Sequence, residues 1–144
     1  MTCTDSDWGF DLTSHYSQTG YFFKIVGRLF SWSLHTQKSI ALSSAEAEYM
    51  ALSECSCQAI WIQTLFYELG YKKQPIPICR DNQESIFIAL NPVMEKYIKH
   101  IDIQYHFICN AVLDNKVQLY YIEGSENPAD MFTKNLGHIK FSKF

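Results

Sequence analysis

The spacing of apolar and polar positions changes along the chain, and the order of the changes predicts the elements. A short β-type run from Thr2 to Thr4 leads into the turn-rich stretch Asp5, Ser6, Asp7, Trp8, Gly9. After a polar loop, Gly20 to Val26 and Leu29 to Leu34 are β-rich runs separated by Gly27 and Arg28, which is hairpin spacing. From Ser43 to Leu69 the period lengthens to that of a helix, with Gly70 in the position of a helix terminator. Ile76 to Arg80 is a short strand whose Pro75 and Pro77 suit its beginning or an exposed edge. A helix starts at Asp81 or Asn82 and stops before Pro92. Ile98 to Leu113 is a further helix, Val117 to Ile122 a last strand and Asn127 to Asn135 a short closing helix. The order β, β, β, α, β, α, α, β, α predicts an α/β fold, a mixed sheet with helices packed on it.

The long helix carries the most informative carboxylate. Positions 48, 52, 55, 59, 62 and 66 share one helical face and hold Glu48, Leu52, Cys55, Ala59, Ile62 and Phe66, so Glu48 is the one charge on an apolar stripe. Burying it unpaired costs several kcal/mol, which calls for a cation, a hydrogen-bonding neighbour or a water-reaching position. A metal ligand and a structural, solvent-reaching residue both meet that demand. Glu46, three residues after Ser43, completes a capping box and needs no further role.

Asp81 falls where a strand ends and a helix begins, the edge of an open sheet at which ligands bind, although with Glu84 it also fits a helix cap. Asp130 lies in the first turn of the closing helix, where the dipole favours a carboxylate anyway. Asp5 and Asp7 flank the first turn and fit local backbone hydrogen bonds. Taken together, strand ends and helix starts can bring Asp5, Glu48, Asp81 and Asp130 to one rim. Such a cluster repels itself unless cations fill it. An oxygen-only set suits Mg²⁺ or Mn²⁺, and two such ions about 3.5 to 4 Å apart can clamp the attacking and leaving oxygens of a phosphodiester. His100 and His106 lie on or beside an apolar helix, where packing is the default role. Cys55 and Cys57, two apart on a helix, point to different faces and make no joint metal site.

Composition narrows the picture in three ways. A chain of 144 residues, 47% hydrophobic, is expected to form one domain with its own core. The net charge of -3 argues against gripping nucleic acid by bulk electrostatics, though metal-bound carboxylates or a neighbouring domain would reconcile it with a nucleic-acid enzyme. Five cysteines in no framework spacing, no bilayer-length apolar run and no leader set the expectation of an intracellular, cytoplasmic chain with free thiols and no membrane partner.

Ordered motifs then bring in a resemblance. They are Thr4-Asp5-Ser6-Asp7-Trp8, Ser31-Trp32-Ser33, Gln37-Lys38, the run from Ala41 to Glu54 that contains Ser43-Ser44-Ala45-Glu46-Ala47-Glu48-Tyr49, Asp81-Asn82-Gln83, Asn91-Pro92-Val93, Lys99-His100-Ile101-Asp102-Ile103, Tyr105-His106-Phe107-Ile108, Ala129-Asp130 and Thr133-Lys134. From about Thr4 to Leu136 the chain resembles the ribonuclease H domain of copia-type long-terminal-repeat retrotransposon Pol polyproteins. The resemblance implies a five-stranded mixed sheet with flanking helices over residues 1–136, with 137–144 a C-terminal tail. It also implies an Asp, Glu, Asp, Asp site that carries over to Asp5, Glu48, Asp81 and Asp130 and holds two Mg²⁺, with Mn²⁺ as a substitute. The implied reaction is endonucleolytic cleavage of the RNA strand of an RNA/DNA hybrid, leaving a 3′-hydroxyl and a 5′-phosphate. The implied partners are the hybrid and the reverse transcriptase domain of the parent polyprotein.

The chain departs from the family pattern where positive charge is usual. His35 and Thr36 stand where two lysines are usual, the later helix carries Gln104, Cys109 and Asn110 at customarily charged positions, and Met94 to Ile98 lacks the customary His and Arg. With a start only a few residues before Asp5, these departures keep a second expectation open: a catalytically silent ribonuclease H-like fragment or domesticated module.

Overall fold

The computed structural model of the chain describes residues 1–9, 15–91 and 102–134, and residue 138. Three strands come first, β1 (Thr2–Asp7), β2 (Gln18–Ile25) and β3 (Arg28–Thr36), followed by helix α1 (Ser44–Glu68) and strand β4 (Ile76–Arg80). Helices α2 (Gln83–Leu90) and α3 (Asp102–Leu113), strand β5 (Val117–Tyr121), a 3-10 turn at Gly124–Glu126 and helix α4 (Asp130–Thr133) complete the order. The strands form one sheet in the order β3-β2-β1-β4-β5. β1 pairs antiparallel with β2 and parallel with β4, and β4 is parallel to β5, so the sheet is mixed as the pattern predicts.

Each face of the sheet has its own cover. Phe23, Ile78 and Val117 meet Leu52, Cys55, Ala59 and Ile62 of α1 and Ile108 of α3 in the main core. Cys3, Phe22 and Cys79 point to the other face, against Ala129 and Phe132 around α4. Odd-numbered residues at the ends of β1 and β4 therefore look toward α4, and even-numbered ones toward α1. The stripe on α1 is buried as its spacing predicts, with Phe66 partly buried at its far end. Gln37, in the link to α1, donates to Thr19 Oγ1 at 3.0 Å and to the Ala47 carbonyl at 2.8 Å, which pins the start of the helix over β2.

Several local expectations are corrected. β1 extends past Thr4 because its ladder with β2 continues to Asp7 opposite Gln18, so Asp5 lies inside a strand rather than in a turn. The hairpin loop is Val26–Gly27, both residues at positive φ, and Arg28 already pairs with Ile25. Pro77 is on an interior strand, tolerated because β1 pairs with β4 only from Ile78 onward. The closing helix is a single turn: the Asn127 side chain takes the Ala129 N–H, and this local bond competes with an earlier helical start. The first residues of the helix read from Ile98, the Asn91-Pro92-Val93 motif beyond Asn91, the segment Met94 to Ile98, Lys99-His100-Ile101, Asn135 and the tail 137–144 apart from residue 138 lie outside the described residues.

Candidate metal centre

Parallel neighbours β1 and β4 end side by side, and their carboxyl ends, with α4, assemble the acidic site. Asp5, fourth residue of β1, is fully buried on the α4 face. Its Oδ2 accepts the Thr133 hydroxyl and its Oδ1 lies 3.2 Å from Lys134 Nζ. Asp130 opens α4, is also buried, and takes the same ammonium on Oδ1 at 2.9 Å. The close seating of α4 has two causes. Gly20 lacks a side chain where a Cβ would meet Thr133 Cγ2 at 2.8 Å and Phe132 Cβ at 2.9 Å. Buried Asn127 donates to the Thr4 carbonyl at 3.2 Å while accepting the Ala129 N–H at 3.1 Å, which ties the segment carrying Asp130 to the strand carrying Asp5.

Asp81 follows the last residue of β4. The cap of α2 is Asn82, whose Oδ1 accepts the Ser85 N–H at 2.9 Å, so the capping role that Asp81 could have filled is taken by its neighbour. Asp81 Oδ2 instead lies against Gly124, where a Cβ would come within 2.9 Å of it. Asp5, Asp81 and Asp130 each offer a carboxylate oxygen within 4.8 Å of the others.

Glu48 reaches the same rim over the opposite face of the sheet, from the buried stripe of α1. It shares with Asp81, Asn82, Gln83, Glu84 and Tyr121 an open cleft of about 530 Å³. Both of its oxygens are engaged: Oε2 lies 2.7 Å from Arg80 Nη2, and Oε1 accepts the Ser6 N–H at 3.2 Å. Arg80 is fully buried, so the lone charge on the helical stripe finds its cation inside the protein. Removing one partner of such a pair costs roughly 3–5 kcal/mol. Glu46 keeps to the helix start: its N–H goes to Ser43 Oγ, and its carboxylate takes the Leu42 N–H at 2.7 Å, one residue before the partner a capping box prescribes.

Burial and crowding make two of these carboxyls harder to ionise. Burial, helped by the charges of Glu48 and Asp130 and opposed by Lys134 and Thr133, pushes the Asp5 carboxyl up to about 7. Burial also raises Glu48, against the pull of Arg80. For Lys134 burial works downward, but Asp5 and Asp130 outweigh it and hold the ammonium above its usual range. A set of oxygen donors in need of positive charge suits a hard divalent cation.

All four carboxylates singled out in the sequence thus lie at one rim, three as a tight group and Glu48 beside them on Arg80. His106 is exposed, Cys55 is buried and Cys57 exposed, and none joins the site. Sequence reasoning missed Arg80, Asn127, Gly124 and the bridging by Lys134. For Arg80 a signal existed: strand alternation places it on the inner face with Ile78, below a helix whose only stripe charge wants a cation.

No protein-family model matches the chain. It is 38% identical over 138 residues to a "Retrovirus-related Pol polyprotein from transposon TNT 1-94" of Nicotiana tabacum, an alignment covering 96% of this chain and 10% of the polyprotein. The chain spans about a tenth of the length of the curated relatives it matches first. Among solved structures it is similar to LC11-RNase H1, isolated from compost by a metagenomic approach, with a TM-score of 0.66 at 13% identity over 91% of this chain and 89% of that one. A second structure of LC11-RNase H1, in complex with an RNA/DNA hybrid, gives a TM-score of 0.62 at 13% identity, covering 91% of each chain.

Proposed function

The chain belongs to the retrovirus-related Pol polyproteins of transposons, in a segment with the ribonuclease H fold, and from that premise we propose that it is a divalent-metal-dependent endoribonuclease acting on the RNA strand of RNA/DNA hybrids. The observation that carries the reading is the convergence of Asp5, Asp81 and Asp130, with their oxygens within 4.8 Å of one another. The donor set fits Mg²⁺ or Mn²⁺: it is all oxygen, and it draws in the ammonium of Lys134 as a cation. Asp5, Asp81 and Asp130 would hold the metal, with Glu48 beside them across the shared cleft. A bound divalent cation supplies an activated water and stabilises charge on the phosphate. The chain's own residues do the rest. Asn127 and Gly20 hold α4 against the sheet, Thr133 orients the Asp5 carboxylate, and the open cleft beside Asp81 leaves room for a phosphodiester backbone.

The setting proposed is reducing and cytoplasmic, where the five cysteines, all free thiols, would stay reduced; among the described residues no helix is long and apolar enough to cross a membrane. Similarity to a polyprotein supports a covalently linked reverse transcriptase domain as the partner that holds the hybrid. A second reading, a silent module of the same fold, is favoured by one observation: Glu48 already has its cation in Arg80.

The test is hybrid cleavage in Mg²⁺ by the wild type beside Asp81→Asn. Asp81 is only partly buried, so the amide should fold normally. The nuclease reading requires cleavage by the wild type and a loss of at least about a hundredfold, roughly 2.7 kcal/mol of barrier, in the variant. Equal activity in both, or none in the wild type, would overturn it.

A further inference from the structure

We infer that Arg80 is a fixed internal cation that withholds Glu48 from the metal set, so that this chain binds one divalent ion, on Asp5, Asp81 and Asp130, rather than two. The inference rests on reading the cluster as a metal centre. Both Glu48 oxygens already accept a hydrogen bond, Oε2 from Arg80 Nη2 and Oε1 from the Ser6 N–H, which holds the carboxylate against Arg80. Swinging it away from Arg80 toward a metal breaks those bonds.

Arg80 cannot yield. Nη2 also donates to the Glu48 main-chain carbonyl at 3.0 Å, and Nε and Nη1 have no hydrogen-bond partner among the described residues. Among the described residues every acceptor of its side chain belongs to Glu48. The side chain is fully buried, so separating the pair would strand an unpaired guanidinium in the interior. Lys134 differs, since its side chain is 39% exposed and can swing into water when an ion arrives.

Arg80 is accordingly a positioning residue: it acts through Glu48 and touches neither substrate nor ion.

The experiment is a Mn²⁺ titration of the full chain, counting bound ions by calorimetry and by the electron paramagnetic resonance signal of free Mn²⁺. The wild type should bind one ion. Arg80→Met, which keeps the volume and removes the charge, should gain a second. Glu48→Gln, whose amide oxygen can still accept from Arg80 although its NH2 cannot accept the Ser6 N–H, should, where it folds, bind one ion with affinity changed by much less than the roughly tenfold expected when a ligand or its support is lost. The wild-type count decides the matter even if both variants fail to fold. Two ions in the wild type, or a tenfold loss in Glu48→Gln, overturns the inference and leaves the metal centre standing. No bound ion in the wild type overturns both.

Discussion

Asp5 shows how a single carboxyl couples the site to pH. Its native value of about 7 lies above that of an unfolded aspartate, so between about pH 4 and about pH 7 the folded chain binds more protons than the unfolded one. Stability without metal must therefore fall as pH rises through that window and level off above it. A divalent cation competes with the same proton. The rise in melting temperature produced by Mg²⁺ should be smallest near about pH 5 and grow until about pH 8. Melts with and without Mg²⁺ across a pH series check this, and a stabilisation that does not grow with pH would exclude Asp5 as a ligand. The aspartates of this site were legible in the sequence through their motifs. Their partners were not, because Thr133 and Lys134 lie more than a hundred residues from Asp5 and only the folded sheet brings them together.

Among the elements, the β2–β3 hairpin carries a visible strain. Val26 and Gly27 form its two-residue loop with φ of 50° and 75°, the positive pair of a type I′ turn, and Val26 is a β-branched residue held where such residues are disfavoured. It is 95% exposed, so no contact compensates. Val26→Asn should stabilise the protein by about 1 kcal/mol, a rise of a few degrees in melting temperature. An unchanged or lower value would mean that the turn relaxes in solution. Elements with a clear period were readable to within a residue or two: β4 at Ile76–Arg80, and α1 between its Ser43 cap and Gly70. The closing segment was not. A one-turn helix and a 3-10 turn show no period, and what shapes them is the bond from Asn127 to a strand at the other end of the chain.

At the scale of the whole molecule, charge sets how the protein meets nucleic acid. With a net charge of -3 and its one buried arginine turned inward to Glu48, the chain has few cations to place on phosphates. Each neutralised phosphate adds roughly 0.9 to the slope of log affinity against log salt for duplex DNA, so hybrid binding should be weak and its salt dependence shallow. A salt series in Ca²⁺ measures this, and tight binding with a steep slope would reveal a basic surface. The sheet has a further consequence at its margin. β3 is an outer strand among the described residues, and Leu29, Phe30, Trp32 and Leu34 along it are all at least 43% exposed. An open row of backbone donors and acceptors flanked by apolar side chains is a template for another strand, and from Leu29 to Leu34 no charged side chain interrupts it. Solubility of the isolated chain should therefore be limited by edge-to-edge self-association. Trp32→Lys should raise the concentration at which light scattering begins, with little change in melting temperature.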